Sequence, residues 1–375
     1  MFSFKSKSRA ADKSDKIGRI LVFVYLAMFF CFLVLPLFAL MSKSMQNAEG
    51  VFVGLENFAL YLKEPTLFKS FFHSLFVAFV STIIVVCLGF LYAFALQCTC
   101  IPFKGLFRVV SLIPLLSPSI LAAIALVYWF GNQGVFKEML LGHSIYGPIG
   151  IIMASVYWTF PHALMILSTS LSLSDARLYE ASDALKASKL RTFFTVTIPG
   201  AKYGIISTTF VVFILVFTDF GVPKVIGGNY NVLATDIYRE VVGMQNFQMG
   251  AVISIVLLIP ALLAFALDQF SRKRQASQLT SRAVVYVPKP HRLRDNLLLC
   301  YCLLITALVF LMLGMAQFGA LVKFWPYNLS LTLKHYNFEV AGLGWDSFFN
   351  SVRMSLYAAF FGTIIIFIGS YLIEK

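Results

Sequence analysis

The chain has 375 residues, of which 59% are hydrophobic and only 13% charged. Soluble globular domains carry about a quarter charged residues, so this composition excludes a soluble protein and implies a polytopic membrane protein. The net charge of +13 does not point to nucleic acid, because the Lys and Arg residues lie scattered between apolar runs rather than gathered on one soluble domain.

In chain order, residues 1–17 read as a basic cytoplasmic tail (Lys5, Lys7, Arg9, Lys13, Lys16) without apolar period. The apolar run from Ile20 to Met41 is longer than the roughly 7–15 residues of a signal-peptide core, so it predicts an uncleaved first membrane helix. Further spans are predicted at 72–97, 106–131, 147–171, 203–221, 248–270, 295–322 and 349–373. Each meets the requirement of about 20 helical residues to cross a bilayer. The fold class is therefore an all-α membrane helical bundle. The third span carries Pro114, Ser117 and Pro118, which predict a break or a kink.

The positive-inside rule orients these spans. With the N-terminus in the cytoplasm, the inner connections hold twenty Lys and Arg and the outer ones eight. This places the polar stretch from Tyr179 to Ile205, between the fourth and fifth spans, on the cytoplasmic side. It reads as a short helix, a turn and a second helical piece closed by Pro199. Ser174 or Asp175 can cap the first piece, and Leu178, Ala181, Ala184, Leu185 and Ser188 recur at three- and four-residue spacing. Glu180 and Asp183 come early while Lys186, Lys189 and Arg191 come late, as a helix dipole favours. An amphipathic helix lying on anionic lipid would explain the basic residues but neither the acidic pair nor the Ile198-Pro199 ending.

The basic stretch 271–294, with Pro288 and Pro290, reads as a linker between a first unit of six spans (18–270) and the start of a second (295–375). A short repeat supports that division. Ser70-Phe71-Phe72-His73-Ser74 and Ser347-Phe348-Phe349-Asn350-Ser351 open the second and eighth spans in the same direction. The expectation is a partial product of a longer two-unit protein. The six cysteines fall in or beside spans; Cys98-Thr99-Cys100 and Cys300-Tyr301-Cys302 each look like half a metal site, but nothing completes either, so no metal and no cofactor is expected.

Four residues are candidates for a substrate path. Asp219, near the outer end of the fifth span, either lines a cavity with Thr218 and Lys224 or caps the following Gly-Val-Pro turn. His162, after Pro161 in the fourth span, is either a pore group or a partner for a carbonyl that the proline frees. Gly200 and Gly204 have the spacing of a close helix contact, a common pattern that decides nothing.

Glu180-Ala181-Ser182, then Lys186, then Val196-Thr197-Ile198-Pro199 resembles the cytoplasmic loop signature of binding-protein-dependent ABC importer permeases. That signature is E-A-A, a glycine four residues after the last alanine, then I-x-L-P. Ala187-Ser188 and Arg191-Thr192-Phe193 are also similar to the family, and Lys186 departs from it where glycine is usual. The resemblance implies that 172–204 is a coupling loop seated on separate cytoplasmic ATP-binding subunits. It further implies a periplasmic substrate-binding protein that delivers a small molecule, in a bacterial inner membrane. The chain itself has no G-x-x-x-x-G-K-[ST] phosphate loop, so it is read as a permease and not an enzyme.

The outer segments around Thr218–Gly228 and Asn231–Tyr238 look like the 2-aminoethylphosphonate branch of the double-length ferric-iron and phosphonate importers. A ferric-iron or other small-solute importer of the same type is the alternative. From another class, a secondary transporter driven by an ion gradient would place ionisable pairs deep in several spans, and almost none are present.

Overall fold

The computed structural model describes residues 13–278, 286–341 and 344–374. The first apolar run forms α1 (Lys13–Phe29), a π turn over Phe30–Val34, and α2 (Leu35–Ser44). Residues 13–17, expected in the tail, are thus already helical, since Lys13 to Ile17 contain no glycine or proline to stop the helix.

After α3 (Glu56–Lys63), the 34-residue α4 (Pro65–Cys98) starts on a proline, whose missing N–H costs nothing at a helix start. The third span is two helices, α5 (Lys104–Leu112) and α6 (Ser119–Phe130), meeting at 98°. Pro114 and Pro118 cannot donate backbone hydrogen bonds, and the residue before Pro118 takes extended backbone. The Ser117 hydroxyl closes the corner by donating to the Pro114 carbonyl at 2.9 Å.

The 25-residue α7 (Pro148–Ser172) carries Pro161 within it. It leads through α8 (Ala176–Ala184), α9 (Lys189–Thr192) and α10 (Ile198–Gly200) into α11 (Lys202–Phe217). Two short helices follow, α12 (Gly221–Ile226) and α13 (Leu233–Tyr238), and then α14 (Phe247–Gln278), α15 (Arg292–Leu321), a two-stranded hairpin (β1, Val322–Phe324; β2, Asn328–Leu331) and α16 (Asp346–Glu374).

Among the described residues, six helices are long and apolar enough to cross a membrane, and two bent pairs bring the number to eight. This matches the eight spans expected, with the third broken where Pro114, Ser117 and Pro118 predicted a break or a kink. The fifth is corrected: it ends at Phe217 rather than 221 because the chain turns at Thr218–Phe220.

By contacts the chain forms two compact units. One contains the N-terminal apolar rod and α16, nearly all of whose large side chains are exposed, as on a lipid-facing helix. Within this unit a side chain on Gly369 would collide with the Tyr25 ring.

The other unit runs from Ser44 to Leu329, with α4, α7, α11 and α14 at its centre. Its core is rich in fully buried alanines (Ala78, Ala93, Ala95, Ala154, Ala163), which let helix backbones approach closely where lipid supplies no hydrophobic drive. Gly89 faces Ala163, and Gly204 leaves room for Ser170 that a methyl group would fill. Gly200 faces nothing, so only one glycine of the Gly200/Gly204 pair makes the close contact.

The expected division at 271–294 is not where the contacts part. Residues 271–278 continue α14, 279–285 lie outside the described residues, and α15 packs on α4, α5 and α6. Tyr301 on α15 donates to the Leu88 carbonyl at 2.8 Å, which fixes α15 to α4.

Candidate coupling site

The segment from Ala176 to Gly200 folds as an elbow whose inner side is pinned and whose outer side is open. Asp175 caps α8, its carboxylate accepting from the Arg177 amide at 3.1 Å. Along α8, Ala176, Tyr179 and Ser182 point inward and are buried. Two hydrogen bonds hold that inner side. The Tyr179 hydroxyl donates to Thr197 Oγ1 at 3.1 Å, and the Ser182 and Thr192 hydroxyls are 2.7 Å apart. Leu178 and Leu185, 55% and 82% exposed, stand with Glu180, Ala181 and Ala184 on the outer side.

The turn after α8 is a Schellman motif. The Ala187 amide donates to the Ser182 carbonyl and the Lys186 amide to the Asp183 carbonyl. Such a turn needs a left-handed residue, and Lys186 supplies it with φ of 52°. Any side chain costs about 1–2 kcal/mol there, against about 0.5–1 kcal/mol of backbone entropy for glycine. Lys186→Gly is expected to stabilise the elbow by up to about 1 kcal/mol, and Lys186→Ala to leave it unchanged. Hydrogen exchange at the Ala187 amide, about fivefold slower in the glycine variant alone, checks this.

Ser188 is not part of the α8 face as its spacing suggested. It lies beyond the turn and caps α9, accepting from the Arg191 amide at 3.3 Å. Arg191 is exposed, and Ala187 half-buried. The second helical piece passes through a π turn over Phe193–Thr197 and runs on through Ile198 and Pro199 to Gly200, where it ends and the chain bends 64° into α11.

Asp183 is the hub of the elbow's charges. Its carboxylate pairs with Lys189 at 3.0 Å and with Lys289 at 3.1 Å. Hydrogen bonds from Lys189 and then Lys289 hold this carboxyl below its ordinary range. Tyr286 stacks on Tyr179 at 4.0 Å between ring centres. Sequence reasoning missed Tyr286 and Lys289 as members of the site, because nothing local marks a contact about a hundred residues along the chain. Tyr179 and Thr192 lay within the stretch singled out, but their inward bonds left no sequence signature.

The four substrate-path candidates do not meet in one place. Asp219 accepts from Ser119 Oγ at 3.0 Å and from the Val222 amide at 3.0 Å, so it caps the turn into α12 and ties it to α6. Thr218 donates to its own helix at the Ile214 carbonyl. Lys224 lies over the Tyr238 ring, 4.3 Å from its centre, at the wall of a separate cavity. His162 meets Trp158 edge-on at 5.7 Å within the fourth span.

Residues 102–276 match the family model described as binding-protein-dependent transport system inner membrane component. That stretch, which contains the whole elbow, is therefore similar to the binding-protein-dependent importer permeases. This is a family of transport components, not of enzymes. The chain is 28% identical over 321 residues to the ferric transport system permease protein FbpB of Actinobacillus pleuropneumoniae, covering 80% of this chain and 46% of the relative. It is also 28% identical over 214 residues to the spermidine/putrescine transport system permease protein PotB of Escherichia coli, covering 55% and 78%. The chain spans about half the length of the ferric relatives it matches. Among solved structures, the fold is similar to a chain of a bacterial ABC transporter that imports the acidic polysaccharide alginate. The TM-score is 0.55 at 14% identity, covering 72% of this chain and 98% of that one.

Proposed function

We propose that this chain is the membrane part of an ATP-driven importer, and that a cytoplasmic ATPase subunit grips its Ala176–Gly200 elbow. The observation that carries this reading is the two-sidedness of the elbow: hydroxyl pairs fasten the inner side, while Leu178, Ala181 and Leu185 are left open beside Glu180. Exposed apolar side chains rimmed by charge are what a docking surface needs. Closure of the ATPase pair on ATP would swing the elbow. Because the elbow runs directly into α11, the swing would re-orient the helices around the transport path. A periplasmic binding protein would deliver the cargo at the other face, and the N-terminus would lie in the cytoplasm.

The test is sidedness. Ala181→Cys, in a background lacking the native cysteines, should react with a membrane-impermeant thiol reagent only when the cytoplasmic face is open. Labelling from the periplasm would remove the elbow from any ATPase and overturn the assignment.

For the cargo we infer 2-aminoethylphosphonate, on the resemblance of the Thr218–Gly228 and Asn231–Tyr238 segments. The ferric permeases to which the chain is similar favour a second reading, ferric iron. Uptake of each compound by cells carrying the complete transporter separates the two.

A further inference from the structure

The elbow has its own internal fastening, yet a second segment is also fixed to it. The Tyr179–Thr197 and Ser182–Thr192 bonds and the Schellman turn lie wholly within Ala176–Gly200, so they hold its shape without help from elsewhere in the chain. Against it lies the irregular run 286–291, Tyr-Val-Pro-Lys-Pro-His, which leads directly into α15.

This run holds the elbow at two points. The Tyr286 ring stacks on that of Tyr179, the planes 27° apart. Lys289 Nζ lies 3.1 Å from Asp183 Oδ2. The ion pair is largely exposed and is the weaker hold. Tyr179 is buried, which makes the stack the stronger one.

The other end is held at the start of α15. Arg294 Nη2 donates to the Lys289 carbonyl at 2.8 Å, and its Nε donates to Asp295 at 2.9 Å. The His291 amide donates to Asp295 Oδ2 at 3.0 Å, while the Arg294 amide donates to His291 Nδ1 at 3.3 Å and so caps the helix. Midway, the Cys100 thiol, just beyond the end of α4, lies 3.3 Å from the Pro288 carbonyl.

Between these holds the run is stiff. Pro288 and Pro290 fix their own φ and bias Val287 and Lys289 towards extended backbone, so six residues have little slack to take up. A slack linker would let the elbow move and leave α15 where it was; a short, stiff one held at both ends would not. From α15 the path continues by packing, since α15 lies on α6, whose Ser119 bonds Asp219 just before α12. Contiguous packed and bonded groups of this kind are what carries coupling between distant parts of a fold.

We propose that 286–291 is a coupling strap, in which Tyr286 and Lys289 are positioning residues that make the start of α15 follow the elbow. The stroke of the ATPase then reaches α6 by a route separate from α11. This role rests on the reading of the elbow as the surface that the ATPase grips.

A pair of nitroxide labels tests it, one on Leu190→Cys of α9 and one on Leu293→Cys of α15, both exposed positions. The complete transporter is used in lipid discs, with the exposed Cys31, Cys87, Cys100 and Cys300 replaced by serine. The label-to-label distance is read by pulsed electron resonance without nucleotide and after trapping with ATP and vanadate. With the strap intact, the distance distribution is expected to be the same in both states. With Tyr286→Ala and Lys289→Ala together, it is expected to shift on trapping by more than its own width, because the elbow moves and α15 no longer follows. Tyr286→Phe alone keeps the ring and should behave as the native chain does.

A shift already present in the native chain overturns the proposal, and so does a distance that stays fixed in the double variant. Hydrogen exchange at the Ala187 amide should be the same with and without the two alanines. Faster exchange in the double variant would make the run a clamp that folds the elbow rather than a link that moves α15, and would equally overturn the proposal. The sidedness of Ala181 decides the importer reading by itself, so the two failures are distinct.

Discussion

Glu180→Lys is expected to reduce substrate-stimulated ATP hydrolysis of the complete transporter to its basal level, with the chain still inserted and folded. Glu180 is exposed on the outer side of α8, and the ion pairs of the elbow run through Asp183, Lys189 and Lys289 instead. Reversing its charge therefore breaks no internal contact, and exposed substitutions of this kind change stability by about 0.5 kcal/mol or less. Its effect on a docked partner is different. Losing one member of a desolvated charge pair costs about 2–5 kcal/mol, and reversal adds repulsion. That is a loss of roughly 30-fold to several thousand-fold in docking. Insertion is checked by membrane fractionation and the fold by thermal denaturation in detergent. Normal ATP turnover with the variant would show that the ATPase does not read this residue, and the coupling role would fail.

The part of this site that sequence could reach is the part set by local rules. Glu180 and Ala181 fall outside, and Asp175 caps, because α-helical periodicity and side-chain reach fix both over a few residues. Lys186 was legible as a departure: the signature has glycine at this position, and the lysine there takes the left-handed turn, with φ of 52°. The hidden part is non-local. Ser188 looked like one more residue on the α8 face, yet the turn at Lys186 redirects the chain and turns it into a cap. At the level of fold, apolar run length placed eight spans well. It could not show that α15 packs against α4 through α6, because an all-apolar helix carries no stripe to say which neighbour it meets.

Asp219 separates two kinds of importance that a single loss-of-function variant would confuse. Asp219→Ala is expected to destabilise the chain by about 3–6 kcal/mol, since two hydrogen bonds to a charged group are lost at about 1.5–3 kcal/mol each. The variant leaves Ser119 Oγ and the Val222 amide without their acceptor, at the point where α6 and α12 meet. Asp219→Asn keeps the shape. Its carbonyl can accept from the Val222 amide, which has no alternative role, while its NH2 faces Ser119, whose hydroxyl rotates to accept. The charge is lost, together with its favourable position at the starts of α6 and α12. That costs about 1 kcal/mol and should leave uptake near the native rate. If the carboxylate were instead a contact for a positively charged cargo, Asp219→Asn would melt like the native chain and transport no better than the alanine variant. Thermal denaturation and uptake measured on the same two variants decide it. The geometry favours the first outcome, because both carboxylate oxygens are already engaged by the protein.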